Sequence, residues 1–423
     1  MLKLLISDNS GNIYEQSQYL SVARSGEFLF VPNVSDFIKL PEESKLFFIP
    51  DSVPLGYHKE KFNITQVNDG LCVSAFLPPG YLRLYLPAYE RIKKSYLPFY
   101  GYSHIASYNN DFMVAAIKVD DDSAWNPANY DFTSNFLSVV KPLLEKFPNN
   151  RIINQLAKCA LEYNCTAAKN FFMGQYEAPI PTAATCNSSC LGCISHNKKG
   201  LITPQKRLNY TVGFDEIVEV ALIHNDRAED PIISFGQGCE GDPIMEADTI
   251  IKAIKIIKKK CPGLTINFNS NCSVPENVEK LIDAGLDSIR LTIFSFNETL
   301  YNQYHKPINY SFDDVLKSMR LISSSNIFSS INLLVFPGIT DRQKEAKLLQ
   351  NALVDYRINM IQWRNLNIDP FLLLENIQLE PDEVLGLKNL LKLIKRAQKN
   401  LFYGYFNRPK KLFKKDIFPF KIK

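Results

Sequence analysis

Between residues 178 and 375 of this 423-residue chain, short apolar runs alternate with amphipathic stretches. Pro231 to Phe235, Leu264 to Phe268, Ser288 to Phe294, Ile331 to Phe336 and Met360 to Leu366 have the length and bounding turns of strands. Glu177 to Thr185 is expected to be the first strand of the set. Between them, Phe214, Ile217, Val218, Ala221 and Leu222 lie at i, i+3, i+4, i+7 and i+8, the stripe of an amphipathic helix. Ile250 to Ile257 runs into Lys258-Lys259-Lys260, positive charge at the negative end of a helix dipole. Pro275 to Ala284 has proline at its start and Gly285 after its end. Ser311 and Asp314 predict a capping box, and Asp341 to Tyr356 another helix. Strands joined through helices lie parallel, with the helices outside, so this region is α/β. Ligand sites in parallel α/β sheets gather at the C-terminal ends of the strands.

The flanks differ. Residues 1–119 predict a separate β-rich domain, broken by prolines and glycines and opening with a hairpin turn at Asp8-Asn9-Ser10-Gly11. Residues 120–177 predict a helical connector that begins after Trp125-Asn126-Pro127, with stripes at Phe136 to Leu144 and Ile152 to Tyr163. Residues 376–423 form a basic C-terminal tail with a helix over Lys388 to Arg396. From Lys388 on, twelve Lys or Arg face one acid, Asp416, with aromatics interleaved at Phe402 to Phe406. That mixture suits stacking on bases and neutralising phosphates, or a tail that packs its rings on the barrel.

A net charge of +4 does not demand a polyanionic partner, and no long uncharged apolar run could span a membrane. Met1 to Asp8 turns polar too early for a signal peptide, so the chain is expected in the cytoplasm. Nine cysteines in so long a chain fit metal binding plus buried thiols better than disulfides.

Three of those cysteines, Cys186, Cys190 and Cys193, are packed at C-x3-C-x2-C spacing just after the first strand. Three thiolates can hold three irons of a cubane cluster and leave the fourth open, as a catalytic metal requires. A zinc site is the alternative, with His196 as a fourth ligand. The spacing closely resembles that of the radical S-adenosylmethionine (radical SAM) superfamily. The resemblance implies a partial (β/α)6 barrel carrying a [4Fe-4S] cluster, with SAM chelated to its open iron and cleaved to a 5′-deoxyadenosyl radical. It also implies an electron donor such as flavodoxin or ferredoxin. Members usually carry an aromatic residue before the third cysteine, where Gly192 stands here. Packing on the adenine would then come from elsewhere, with Leu191 and Ile194 as candidates.

The second strand ends in Gly236-Gln237-Gly238-Cys239-Glu240-Gly241-Asp242-Pro243. It resembles the family's glycine-rich turn that receives the amino group of SAM. Gly241, Asp242 and Pro243 align best, with Glu240 as the alternative acid. The same resemblance offers Asn269 for the methionyl or ribose part. Ser295, favoured over Thr292, would meet a ribose hydroxyl or carboxylate, and Arg364 would stand in a polar barrel mouth. His305 is read as a helix-surface residue, Arg290 as a supporting charge, and Cys159 and Cys165 as buried thiols. The expected function is radical SAM chemistry on an unknown substrate. An RNA-modifying enzyme, a peptide modifier or activase, and a non-catalytic iron–sulfur or zinc protein stay open.

Overall fold

The computed structural model describes residues 1–97, 99–121, 129, 136–196 and 201–416. The junction at Trp125-Asn126-Pro127 and residues 417–423 lie outside the described residues. The chain is α/β: a separate antiparallel β-rich unit, three connecting helices and a curled parallel half-barrel.

In the N-terminal unit, an 11-stranded sheet and a 3-stranded sheet pack together. Its first hairpin pairs Lys3–Ser7 with Ile13–Ser21. Asp8 holds the turn by accepting from the Ser10 and Asn12 amides, and Gly11 takes the left-handed φ of 87° that closes it. Three helices follow, α1 (Leu137–Lys146), α2 (Arg151–Leu161) and α3 (Thr166–Met173). Among the described residues no helix is long and apolar enough to cross a membrane.

The parallel sheet runs in chain order through β1 (Glu177–Pro179), β2 (Ile232–Phe235), β3 (Thr265–Ser270), β4 (Ser288–Ile293), β5 (Phe328–Val335), β6 (Met360–Asn365) and β7 (Phe402–Gly404). Outside it lie α4 (Phe214–Arg227), α5 (Ala247–Lys260), α6 (Pro275–Ala284), α7 (Glu298–His305), α8 (Phe312–Ser324) and α9 (Gln343–Asp355). Helix α6 starts on Pro275 and ends at Gly285 with φ 111°, and Ser311 and Asp314 cap α8 reciprocally. The first strand is shorter than expected. It ends at Pro179, because Pro179 and Pro181 lack the amides a longer ladder would need.

Side chains alternate across the strands. Ile233, Phe235, Ile266, Phe268, Ile289, Leu291, Ile331, Leu333, Ile361 and Trp363 enter the main apolar core with the helices. The residues between them on the inner face are Ser234, Asn267, Asn269, Arg290, Thr292, Asn332, Gln362 and Arg364. Fully buried parallel strands are usually apolar on both faces. A polar inner face therefore marks a lumen built for something other than core packing.

The C-terminal segment departs from the expected six-unit barrel. After α10 (Pro370–Leu374) and α11 (Leu387–Ala397), it supplies a seventh parallel strand, with Met360, Ile361 and Gln362 paired to Phe402, Tyr403 and Gly404. Beyond it, Asn407 closes the barrel floor. It donates to Glu177 Oε1 (2.7 Å) and accepts from Gln362 Nε2 (3.1 Å). Tyr403 is buried and Phe402 stacks on Phe328. Lys411 pairs with Asp230, and Lys410 donates to the Pro262 carbonyl at 2.5 Å.

The N-terminal unit is fastened to the opposite end of β6. The fully buried Arg83 donates to Asn367 Oδ1 (2.8 Å) and to the Leu366 carbonyl, while its own amide reaches Asn365 Oδ1 (2.9 Å). Gly338 lets the two units touch at the end of β5: a Cβ there would lie 2.1 Å from Gly26 N.

Candidate iron–sulfur and cosubstrate site

The loop after β1 carries Cys186, Cys190 and Cys193 to the C-terminal end of the barrel. Backbone bonds fix it against the end of α7: Ser189 N to His305 O (3.0 Å), Leu191 N to Tyr304 O (3.0 Å) and Ile308 N to Asn187 O (2.8 Å). Asn187 also bonds the β3 end, donating to Ser273 Oγ (2.7 Å) and accepting from Asn271 Nδ2 (2.8 Å).

Each sulfur meets one N–H donor. The Ser188 amide points at Cys186 Sγ (3.4 Å), His305 Nδ1 at Cys190 Sγ (3.3 Å), and Arg207 Nη2 at Cys193 Sγ (3.4 Å). The histidine's tautomer follows from its other side: Nε2 accepts the Phe294 amide (3.1 Å), so Nδ1 carries the proton. Burial keeps the ring neutral, with its pKa pushed down to about 3. Burial pushes the Cys186 thiol up to about 11 and raises that of Cys190 as well, with neighbouring acid and thiol groups adding to it. A bound cation reverses that by displacing the protons. Among the described residues, no group of three His, Cys, Asp or Glu side chains converges on a single metal ion. His196 is exposed on the surface. Three cysteines, each with its own N–H donor, fit one cysteine per iron of a cluster.

The turn after β2 is held against this loop. Gly241 N bonds Ala183 O (2.7 Å) and Asp242 N bonds Thr185 O (2.9 Å). A Cβ on Gly241 would fall 1.8 Å from Thr185 O, so only glycine allows the approach. Glu240 joins the two segments from within. Its Oε2 accepts from Thr182 N (2.6 Å), Thr182 Oγ1 (3.2 Å) and Ala183 N (2.8 Å), and its Oε1 from Gly236 N (2.9 Å) and Gln237 N (2.7 Å). Asp242 is likewise engaged, accepting from Ile244 N, Ser270 Oγ and Asn271 N.

The three cysteines, Glu240, Gly241, Asp242, Pro243 and Asn269 line one cavity of about 350 Å³. Asn269 braces its rim, donating to the Phe235 and Gly236 carbonyls (2.8 and 3.2 Å). Ser295 stays outside the wall: its hydroxyl donates to Glu345 Oε2 (2.5 Å) and accepts from Asn297 N (2.8 Å). Thr292 lines the cavity in its place. Arg364 lies at the barrel floor over the Tyr405 ring, at 3.7 Å. A second cleft, of about 600 Å³, lies on the outer side between α1, α4 and α5 and has no cysteine in its wall.

Three contributors had little or no signal in the sequence. Arg207 sits in a loop without periodicity. His305 looks like a helix-surface residue until the loop folds onto it. Tyr304 accounts for the missing aromatic at Gly192: a Cβ there would lie 2.8 Å from Tyr304 Oη. The Tyr304 ring, stacked on Phe294 at 4.5 Å, thus occupies the space beside the third cysteine and lines the cavity.

A family model described as the Radical SAM superfamily matches residues 180–349. The FeMo cofactor biosynthesis protein NifB of Klebsiella pneumoniae is 23% identical over 178 residues, 38% of this chain and 37% of that protein. An uncharacterized protein of Methanocaldococcus jannaschii is 23% identical over 230 residues, 53% of this chain and 70% of that one. Among solved structures, Streptococcus suis SuiB bound to precursor peptide SuiA is similar, with TM-score 0.41 and 12% identity over 62% of this chain and 54% of that one. Methylornithine synthase has TM-score 0.37 and 14% identity, over 61% and 77%.

Proposed function

We propose that this chain, which belongs to the radical SAM superfamily through residues 180–349, cleaves SAM reductively and abstracts hydrogen from a substrate held in its barrel. The observation that carries the reading is the meeting of Cys186, Cys190 and Cys193 with the 236–243 turn around one cavity. Those cysteines would hold a [4Fe-4S] cluster. When bound, the cluster supplies the electron that splits SAM into methionine and a 5′-deoxyadenosyl radical.

The remaining work belongs to the protein. The three N–H donors lower the cost of thiolate charge. The glycine turn brings backbone close enough to meet the amino group of SAM. Tyr304 and Ile194 offer surfaces for the adenine, and Thr292 offers a hydroxyl inside the cavity. A flavodoxin- or ferredoxin-type donor would supply the electron, in a reducing compartment such as the cytoplasm. An RNA substrate would have to meet exposed charges such as Arg396 and Lys399, since the tail packs Phe402 and Tyr403 inward.

The test is anaerobic reconstitution with iron and sulfide, then reduction with SAM. The expected product is 5′-deoxyadenosine, absent from Cys190→Ala. A Cys190→Ala protein that still makes it, or a wild-type protein that takes up one zinc and no sulfide, would refute the proposal.

A further inference from the structure

Two guanidinium groups share one acceptor on the barrel floor. Arg290 Nη1 donates to Gln362 Oε1 (2.9 Å) and Asn407 Oδ1 (3.4 Å). Arg364 Nη2 donates to the same Gln362 Oε1 (3.0 Å) and to the Tyr405 carbonyl. Like charges repel more strongly away from water, and both of these side chains are half-buried. Among the described residues, no carboxylate lies within 4.0 Å of either group. The acid on the floor, Glu177, receives the Asn407 amide and attracts Arg290 only from beyond that distance.

Arg290 is part of the wall of the cavity that reaches the three cysteines. Among the described residues its Nη2 has no hydrogen-bond partner, and its Nε is buried without one. Burial, with the Arg364 charge adding to it, pushes its pKa down to about 9, which leaves it charged at neutral pH. Arg290 is the third residue of β4. At about 3.3 Å per residue, it lies about 10 Å below the strand end where the cysteine loop sits.

We propose that Arg290, on the wall of this cavity, anchors the substrate through an oxyanion, a carboxylate or a phosphate. The rest of the substrate would extend up the cavity toward Cys186, Cys190 and Cys193. The word substrate rests on the radical SAM reading above, whereas the anion site stands on the floor geometry. A guanidinium fork matches the two oxygens of such a group, and the Asn332 and Thr292 side chains line the path above.

The test uses the full chain without cluster or SAM. Isothermal titration calorimetry is run with succinate, inorganic phosphate and neutral succinamide at constant ionic strength. Succinate or phosphate should bind saturably, the tighter one naming the group, and succinamide should not. Arg290→Gln should weaken binding at least about tenfold. Arg290→Lys, which keeps the charge and loses the fork, should weaken it less. Equal binding of succinamide would overturn the proposal. So would no anion binding at about 10 mM, where a millimolar site would fill, or an Arg290→Gln protein that binds as wild type does. A tenfold weaker SAM affinity in reconstituted Arg290→Gln would assign the guanidinium to the cosubstrate and also overturn it. Because the titration needs no cluster, failure to form 5′-deoxyadenosine leaves this result standing, and the reverse holds.

Discussion

Replacing His305 by Phe isolates one hydrogen bond at the cysteine loop. The ring stays packed, because His305 lies against Tyr301 at 4.4 Å and Tyr304 at 4.9 Å, and phenylalanine preserves both contacts. The Nδ1–H to Cys190 Sγ bond is lost, as is the acceptor for the Phe294 amide. A hydrogen bond to a charged acceptor contributes about 1.5–3 kcal/mol. A reduced cluster carries one more electron and accepts more strongly, so part of that energy, on the order of 1 kcal/mol, separates the two oxidation states. For a one-electron couple, 1 kcal/mol is about 43 mV. The sign follows: removing the donor destabilises the reduced form, so the midpoint potential falls by about 40 mV. Separately, the stranded Phe294 amide should cost the cluster-free protein about 1–3 kcal/mol. Potentiometric titration followed by electron paramagnetic resonance reads the first effect, and urea unfolding of cluster-free protein reads the second. A variant potential within about 10 mV of wild type, with cluster content unchanged, would refute the donor assignment.

Asn407→Ala removes bonds to Glu177, Gln362 and Arg290, and should lower stability in urea by about 2–4 kcal/mol; a change under about 0.5 kcal/mol would mean the tail does not close the floor. Gly192→Phe restores the family's usual aromatic but collides with Tyr304 Oη, so it should destabilise, and Tyr304→Ala in the same chain should recover most of the loss; additive losses in the double variant would refute the substitution of one ring for the other. His104 is buried, its pKa pushed down to about 3, so the unfolded chain binds the extra proton below the ordinary histidine value. Wild type should therefore lose stability relative to His104→Phe as pH falls, by about 2 kcal/mol between pH 6.5 and 5; parallel stability curves would contradict a neutral buried ring.

The barrel was legible because its signals are local. Proline and glycine bracket α6, Ser311 and Asp314 cap α8, and apolar stripes repeat at helical spacing. The cysteine spacing was legible for the same reason. The division of labour among the polar residues was not. Glu240 and Asp242 flank Gly241 in one turn, and sequence offers both to the amino group of SAM. In the fold, five donors converge on Glu240 and three on Asp242, and those from Thr182, Ala183, Ser270 and Asn271 belong to segments that meet the turn only after folding. Ser295 was preferred to Thr292 for its place at the strand end. The chain has already left the wall there, and Ser295 turns toward Glu345 on α9.

The basic C-terminal segment shows most clearly why composition falls short. Its interleaved lysines and aromatics match a nucleic-acid tail and a packed strand equally well, because neither pattern depends on the order of residues alone. The decision lies in β6, where Gln362 and Arg364 face the lumen and need partners on a floor that β1 to β6 leave open. Tyr405 supplies a ring and a carbonyl to Arg364, and Asn407 supplies an amide to Gln362. Those neutral groups satisfy hydrogen bonds without neutralising charge. Glu177, the acid on that floor, accepts the Asn407 amide and forms no ion pair with either guanidinium. Amides in that position hold Arg290 on the cavity wall without an ion pair, where an anion entering the cavity can meet it.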